Sequence, residues 1–237
     1  MRLFLFPYAG GGPAAFWKWA PNFPDHIETW IAHYPGRGSR VNEPPIKQLN
    51  ILTEELGQAI GPQLDKPFVL FGHSLGGLVA FELANHLYQN HLQQPKVLFV
   101  AGCRAPHQPA TSPPIHALPD PEFLQALRDL NGTPIEILEN SELMELLLPT
   151  LRADFELVET YPFVFNQPPL SCPIVAFGGV GDQQLSQEHL RGWARHTSAD
   201  YKIEYFPGDH FFINEMKDAI IGSITEEIMN STTKESR

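Results

Sequence analysis

The chain has 237 residues, of which 43% are hydrophobic and 18% charged, and it carries a formal net charge of −11 at pH 7. That length suits a single α/β domain spanning residues 1–237, and the acidic balance excludes sequence-independent nucleic-acid binding, which needs a basic face. Two cysteines, Cys103 and Cys172, leave no disulfide framework and point to a reducing, cytoplasmic setting, and no segment nears the roughly 20 apolar residues of a membrane span.

Apolar runs alternate with helix-period segments along the chain, the pattern of a mostly parallel sheet flanked by helices. The first strand falls at residues 2–6 and stops at Pro7, too short for a secretory leader. A glycine-rich loop follows, Phe6-Pro-Tyr-Ala-Gly-Gly-Gly12, whose glycines let the backbone turn its N–H groups inward. Gly10-x-Gly12-x-x-Ala15 is also a loose dinucleotide fingerprint. That motif needs an acid at the end of the next strand, yet residues 28–34 end in His33-Tyr34 and carry Glu28 at the start. No G-x-x-x-x-G-K-[ST] occurs, and no His or Cys residues show paired metal-ligand spacing. Neither cofactor nor metal is expected.

A helix at residues 49–64 leads to the most telling stretch, Pro67-Phe-Val-Leu-Phe-Gly-His-Ser-Leu-Gly-Gly77. It reads as a strand at 68–71, a G-x-S-x-G pentapeptide at 72–76 and a helix at 75–87, the order of an α/β-hydrolase nucleophile elbow. Gly72 and Gly76 give the tight turn room, so Ser74 is the candidate nucleophile. The Leu75 N–H then lies where a tetrahedral oxyanion would form. A second oxyanion donor belongs on the loop after the first strand, which selects Ala9, with Gly10 as the alternative. His73 is turned away by the elbow and is assigned to packing.

A strand at 96–101 precedes some seventy residues without strand signal. They open Pro-rich (Pro106, Pro109, Pro113, Pro114, Pro119, Pro121) and turn helical at 121–130 and 141–160. A structureless loop of that length is implausible, so a helical lid insertion at about 106–161 is expected above the carboxyl edge of the sheet. Alternation then resumes with a strand at 174–177, a helix at 186–195, a strand at 201–206 and a helix at 214–229. From Ser231 the tail is polar and expected to fray.

A serine hydroxyl needs a base and an orienting acid, which in this fold follow in the order Ser, Asp or Glu, His. His210, on the loop after the last strand, can reach over the carboxyl edge of the sheet. Asp182 follows the preceding strand in Gly178-Gly-Val-Gly-Asp182 and is preferred to Asp209, which adjoins the histidine, and to Asp154 in the insertion.

Six segments in order resemble the stand-alone type II thioesterases of nonribosomal peptide and polyketide assembly lines. They are Phe6-Pro-Tyr-Ala-Gly-Gly11, Tyr34-Pro-Gly-Arg-Gly-Ser-Arg40, Phe71-Gly-His-Ser-Leu-Gly76, Leu151-Arg-Ala-Asp-Phe155 with Glu159-Thr-Tyr161, Gly179-x-x-Asp182 with Trp193, and Pro207-Gly-Asp-His-Phe-Phe212. Gly77 and Asp209 stand where alanine and glycine are common. The resemblance implies Ser74, Asp182 and His210 as catalytic residues and Ala9 and Leu75 as oxyanion donors. It also implies hydrolysis of acyl thioesters on the phosphopantetheine arm of an acyl- or peptidyl-carrier protein; a monomer without membrane or nucleic-acid partners is expected. A carboxylester hydrolase or acyltransferase would use the same triad, and a non-catalytic receptor of this fold would be expected to lack part of it.

Overall fold

A computed structural model of the chain describes residues 1–163 and 167–234. Six strands, β1 (Arg2–Phe6), β2 (Glu28–Ile31), β3 (Phe68–His73), β4 (Leu98–Ala101), β5 (Ile174–Gly179) and β6 (Tyr201–Phe206), form one sheet in the order β2-β1-β3-β4-β5-β6. Every neighbouring pair is parallel, because each return passes through a crossover rather than a hairpin. The central strands are buried on both faces, whereas β2 and β6 at the edges are partly exposed, as parallel packing requires.

The period-two alternation of the strands divides the interior into two cores. Phe4, Phe6, Leu70, Val100 and Ala176 face α1 (Leu49–Ile60) and α2 (Leu75–Gln89) on one side. Leu3, Leu5, Phe71, Phe99 and Phe177 pack on the other side, with Ile220, Ile224 and Ile228 of α8 (Lys217–Lys234). The strand expected at residues 28–34 ends at Ile31, and the helix expected from 214 is split into α7 (Phe212–Glu215) and α8. The helix expected at 186–195 is α6 (Gln187–Arg191) followed by a 3-10 turn. The tail read as frayed from Ser231 stays helical to Lys234, and residues 235–237 of that reading lie outside the described residues. Among the described residues no helix is long and apolar enough to cross a membrane.

Between β4 and β5 lie α3 (Asp120–Leu130), α4 (Ile135–Leu138) and α5 (Ser141–Glu159). This insertion has its own small core of Phe123, Leu127, Leu138, Met144 and Leu151. Its Pro-rich beginning is pinned to α5: the N–H groups of Ile115 and His116 donate to the Glu159 carboxylate at 2.9 and 3.0 Å. Pro149 sits inside α5, where it removes one helical hydrogen bond. Leu143 and Leu146 before it are exposed, while Thr150, Ala153, Asp154 and Leu157 after it are buried. Leu147, read from the sequence as part of the same stripe as Leu143, packs instead against the insertion's core.

Besides His210, two imidazoles are buried among the described residues. His73, at the end of β3, lies edge-on or tilted against Tyr8, Phe211 and Phe212. His196 lies among Phe81 and Trp193, with its Nε2 2.8 Å from His107 Nδ1. Burial, helped by the nearby charge of His210, pushes His73 down to about 3, and burial with His107 and Arg195 pushes His196 down to about 4. Unfolding releases both to the ordinary value, roughly 6.5, so the unfolded chain takes up protons that the folded one refuses. Stability is therefore expected to fall as pH drops below about 6.5, by up to about 1.4 kcal/mol per unit for each histidine. Chemical denaturation between pH 6.5 and 5 should show a shallower loss in His73→Gln than in the parent, and equal slopes would mean that His73 protonates in the folded state.

Candidate active site

The strand order reverses direction between β1 and β3, since the chain leaves β1 for the β2 edge and returns to build towards β6. In open parallel sheets the crevice at the carboxyl ends of two such strands is where ligands bind. The glycine-rich loop leaves β1 there, and the elbow leaves β3 there. Ser74 adopts φ +53° and ψ −118°, outside the usual regions for a residue with a Cβ and held at a cost of order 1–3 kcal/mol. Its N–H is tied to the Ala101 carbonyl at 2.8 Å. A side chain on Gly72 would collide with the Gly76 carbonyl, and one on Gly76 with the Phe6 carbonyl, so both positions require glycine. Leu75 begins α2, where first-turn N–H groups have no acceptor within the helix and the helix dipole favours an anion.

His210 and Asp182 are brought together by two loops that hydrogen-bond to each other. Val180 N–H donates to Phe206 O at 2.9 Å and Gly181 N–H to Gly208 O at 2.8 Å. Asp182 is almost fully buried; its Oδ2 lies 2.8 Å from His210 Nδ1, while its Oδ1 accepts the Gln184 N–H at 2.8 Å. A carboxylate can only accept, so Nδ1 carries the proton and Nε2 of the neutral ring is left as a base. Asp209, the rival acid beside the histidine, is occupied in capping the Phe211 N–H at 2.8 Å. The His210 ring stands over Gly102, where a Cβ would lie 3.4 Å from its Cε1, and Gly102 directly follows the Ala101 that holds the Ser74 N–H.

Four side chains make connections that the sequence reading did not find. His73 is packed, as expected, but its Nε2 also bonds the His210 carbonyl at 2.8 Å, joining the elbow to the histidine loop. Arg37 and Asp154 form a buried bidentate pair, with Nη1–Oδ2 and Nη2–Oδ1 both at 2.7 Å. Asp154 Oδ2 also accepts the Gly10 N–H at 2.7 Å, and Arg37 Nη1 donates to Gly11 O at 2.9 Å. Thr150 Oγ1 donates to Gly36 O at 2.6 Å on the same side. Arg37 and Asp154 both lie in segments that carry the family resemblance, but nothing in the sequence joins them, and an acid among apolar residues of a helix suits a satisfied ion pair as well as a solvated face.

The insertion touches the loops of the site at three points. Leu151 lies against Gly10, the ring of Phe211 lies against Gly132, and the Gln184 side chain reaches the Leu130 carbonyl. Burial pushes the thiols of Cys103 and Cys172 up to about 12, so neither competes with Ser74 as a nucleophile. Among the described residues no cluster of three or more His, Cys, Asp or Glu side chains could hold a metal ion.

Comparison with known proteins matches the thioesterase domain family over residues 1–228. The gramicidin S biosynthesis protein GrsT of Aneurinibacillus migulanus is 41% identical over 228 residues, covering 96% of this chain and 89% of that protein. The crystal structure of ClbQ from the colibactin NRPS/PKS pathway superposes with a TM-score of 0.92 at 32% identity, covering 98% of both chains. YbtT, a type II thioesterase from the yersiniabactin NRPS/PKS pathway, superposes with a TM-score of 0.88 at 30% identity, covering 97% of this chain and 93% of its own. The elbow, the parallel sheet and these likenesses converge: the chain belongs to the thioesterase family, as an α/β-hydrolase that acts on thioesters and is akin to the type II thioesterases of nonribosomal peptide and polyketide pathways.

Proposed function

We propose that the protein hydrolyses acyl groups from the phosphopantetheine arm of a carrier protein through an acyl-Ser74 intermediate. The observation that carries this reading is that a strained elbow serine and a buried, hydrogen-bonded His210–Asp182 couple both follow strands at the carboxyl edge of one sheet. Ser74 Oγ attacks the thioester carbonyl carbon as its proton passes to His210 Nε2, and the carbonyl oxygen becomes an oxyanion facing the Ala9 and Leu75 N–H groups. The C–S bond then breaks and the sulfur leaves with the proton from His210. A thiol, with a pKa near 8.5, is a far better leaving group than an alkoxide, so little acid assistance is needed. Water next attacks the acyl-serine, His210 takes its proton and returns one to Ser74 Oγ, and the carboxylic acid departs.

Service to a carrier protein is supported by the pathway relatives and by the exposed insertion. Ile135, Leu143 and Leu146 present apolar side chains to solvent on α4 and the first half of α5. We read this half as the lid and as part of the carrier-docking surface. With a net charge of −11, long-range attraction to an acidic carrier is weak, so docking rests on apolar contact.

Ser74→Ala is expected to fold normally and to lose at least about a thousandfold in turnover, leaving only binding and oxyanion contributions. A fluorophosphonate adduct mapped by mass spectrometry to any residue but Ser74 would refute the assignment. In Asp182→Asn the amide can donate to Nδ1 and force the wrong tautomer, which should reduce kcat by about 10²–10⁴-fold with KM little changed. Retention of kcat would remove Asp182 from the mechanism. Leu146→Arg should raise KM for an acyl-carrier substrate several-fold while leaving cleavage of the same acyl group on pantetheine unaltered. Equal efficiency of the parent on both substrates, or on an oxygen ester of the same acid, would end the claim of carrier thioester specificity.

A further inference from the structure

We infer that Asp154 is a positioning residue, which holds the loop after β1 so that the Ala9 N–H, and not that of Gly10, faces the reacting oxygen. The inference rests on the reading of Ser74 as nucleophile given above. Residues 8–11 form a β-turn closed by the Gly11 N–H on the Tyr8 carbonyl at 2.8 Å, with Gly10 at the third position at φ +74°. Within one trans peptide the C=O and N–H point in opposite directions. The Tyr8 carbonyl is drawn towards Gly11, so the N–H of Ala9, on the same peptide, points away from the turn.

Three successive glycines do not hold such a turn by themselves, since glycine populates both hands of backbone space. The hold comes from α5. Asp154 Oδ2 grips the Gly10 N–H at 2.7 Å, and Arg37, pinned to the same carboxylate, grips the Gly11 carbonyl at 2.9 Å. Both ends of the Gly10–Gly11 unit are thus fixed by an ion pair whose side chains are 7% and 1% exposed. Leu151, one turn earlier on α5, fills the space beside Gly10. Because the Gly10 N–H is already donated to Asp154, it is not available to a substrate oxygen. Of the Ala9, Gly10 and Gly11 N–H groups at the tip of the turn, that of the half-buried Ala9 is left without a hydrogen-bond partner among the described residues, since Gly10 donates to Asp154 and Gly11 to Tyr8.

Three proteins separate positioning from mere support of the fold: the parent, Asp154→Asn, and the double variant Arg37→Met/Asp154→Leu. The double variant removes both charges, so neither is left buried and unpaired. Each is assayed for thermal unfolding, for kcat and KM on an acyl-pantetheine, and for inhibition by the matching trifluoromethyl ketone. Addition of Ser74 to that ketone creates an oxyanion in the same place as the reaction does. Asp154→Asn should lose 10–100-fold in kcat with KM within about threefold of the parent. The double variant should unfold within a few degrees of the parent and yet keep the kcat defect, and ketone affinity should fall by the same factor as kcat/KM. Recovery of kcat together with stability in the double variant would reduce Asp154 to a structural role and overturn the inference, as would lost turnover with unchanged ketone affinity. Failure of the parent to form the Ser74 adduct, read by ¹⁹F NMR and intact mass, would instead remove the nucleophile assignment itself and the inference with it.

Discussion

Backbone meets backbone where β3 turns into α2, and the geometry of the whole site depends on that contact. Gly72 has no room for a side chain because the Gly76 carbonyl is there, and Gly76 has none because the Phe6 carbonyl of β1 is there. Two strands and a helix are therefore locked together with no side chain between them. The close approach forces Ser74 into its strained positive-φ conformation and brings the loop after β1 alongside the elbow. A parallel sheet whose order reverses at these two strands leaves an open crevice above them, so the same constraint that strains the serine also provides space for a substrate.

The insertion is two structures joined at Pro149. Its second half is part of the core, tied through Thr150 to Gly36 and through Asp154 to Arg37 and Gly10. Its first half, with α3 and α4, packs mostly on itself and shows Leu143 and Leu146 to solvent. A proline inside a helix weakens the hydrogen-bond ladder there, which lets the two halves differ in rigidity.

Most of the fold was legible because its strands are short apolar runs separated by helix-period segments. Residues 2–6 and 201–206 fall where the periodicity put them, and both Gly72 and Gly76 could be justified from the pentapeptide alone. The pairing of His210 with Asp182 could be expected from chain order and from the place of each just past a strand, at the carboxyl edge of the sheet. What stayed hidden was tertiary. Nothing local marks Asp154 as the partner of Arg37, 117 residues away, and a helical acid in an apolar stripe reads equally well as a solvated one. His73 was read as packing because the elbow turns it away, and its hydrogen bond to a backbone carbonyl 137 residues further on leaves no trace in side-chain patterning. The boundary at Ile31 was missed because the residues after it, Ala32-His-Tyr34, are as apolar as a strand but turn away to form the Arg37 loop.

The sequence separation of the Arg37–Asp154 pair has a consequence for how the molecule is made. During synthesis β1, β2 and β3 emerge first and can begin to pair, but the Gly10 turn lacks its clamp until the ribosome has released α5. The N-terminal third of the chain therefore exposes an unpaired arginine guanidinium and a loose glycine loop for the time needed to add more than a hundred residues, at about 5–20 per second. The same separation limits exchange of parts between relatives. A transplanted insertion would have to supply an acid facing Arg37, or arrive together with its own version of the 34–40 loop, because a charge left unpaired at that depth is strongly destabilising.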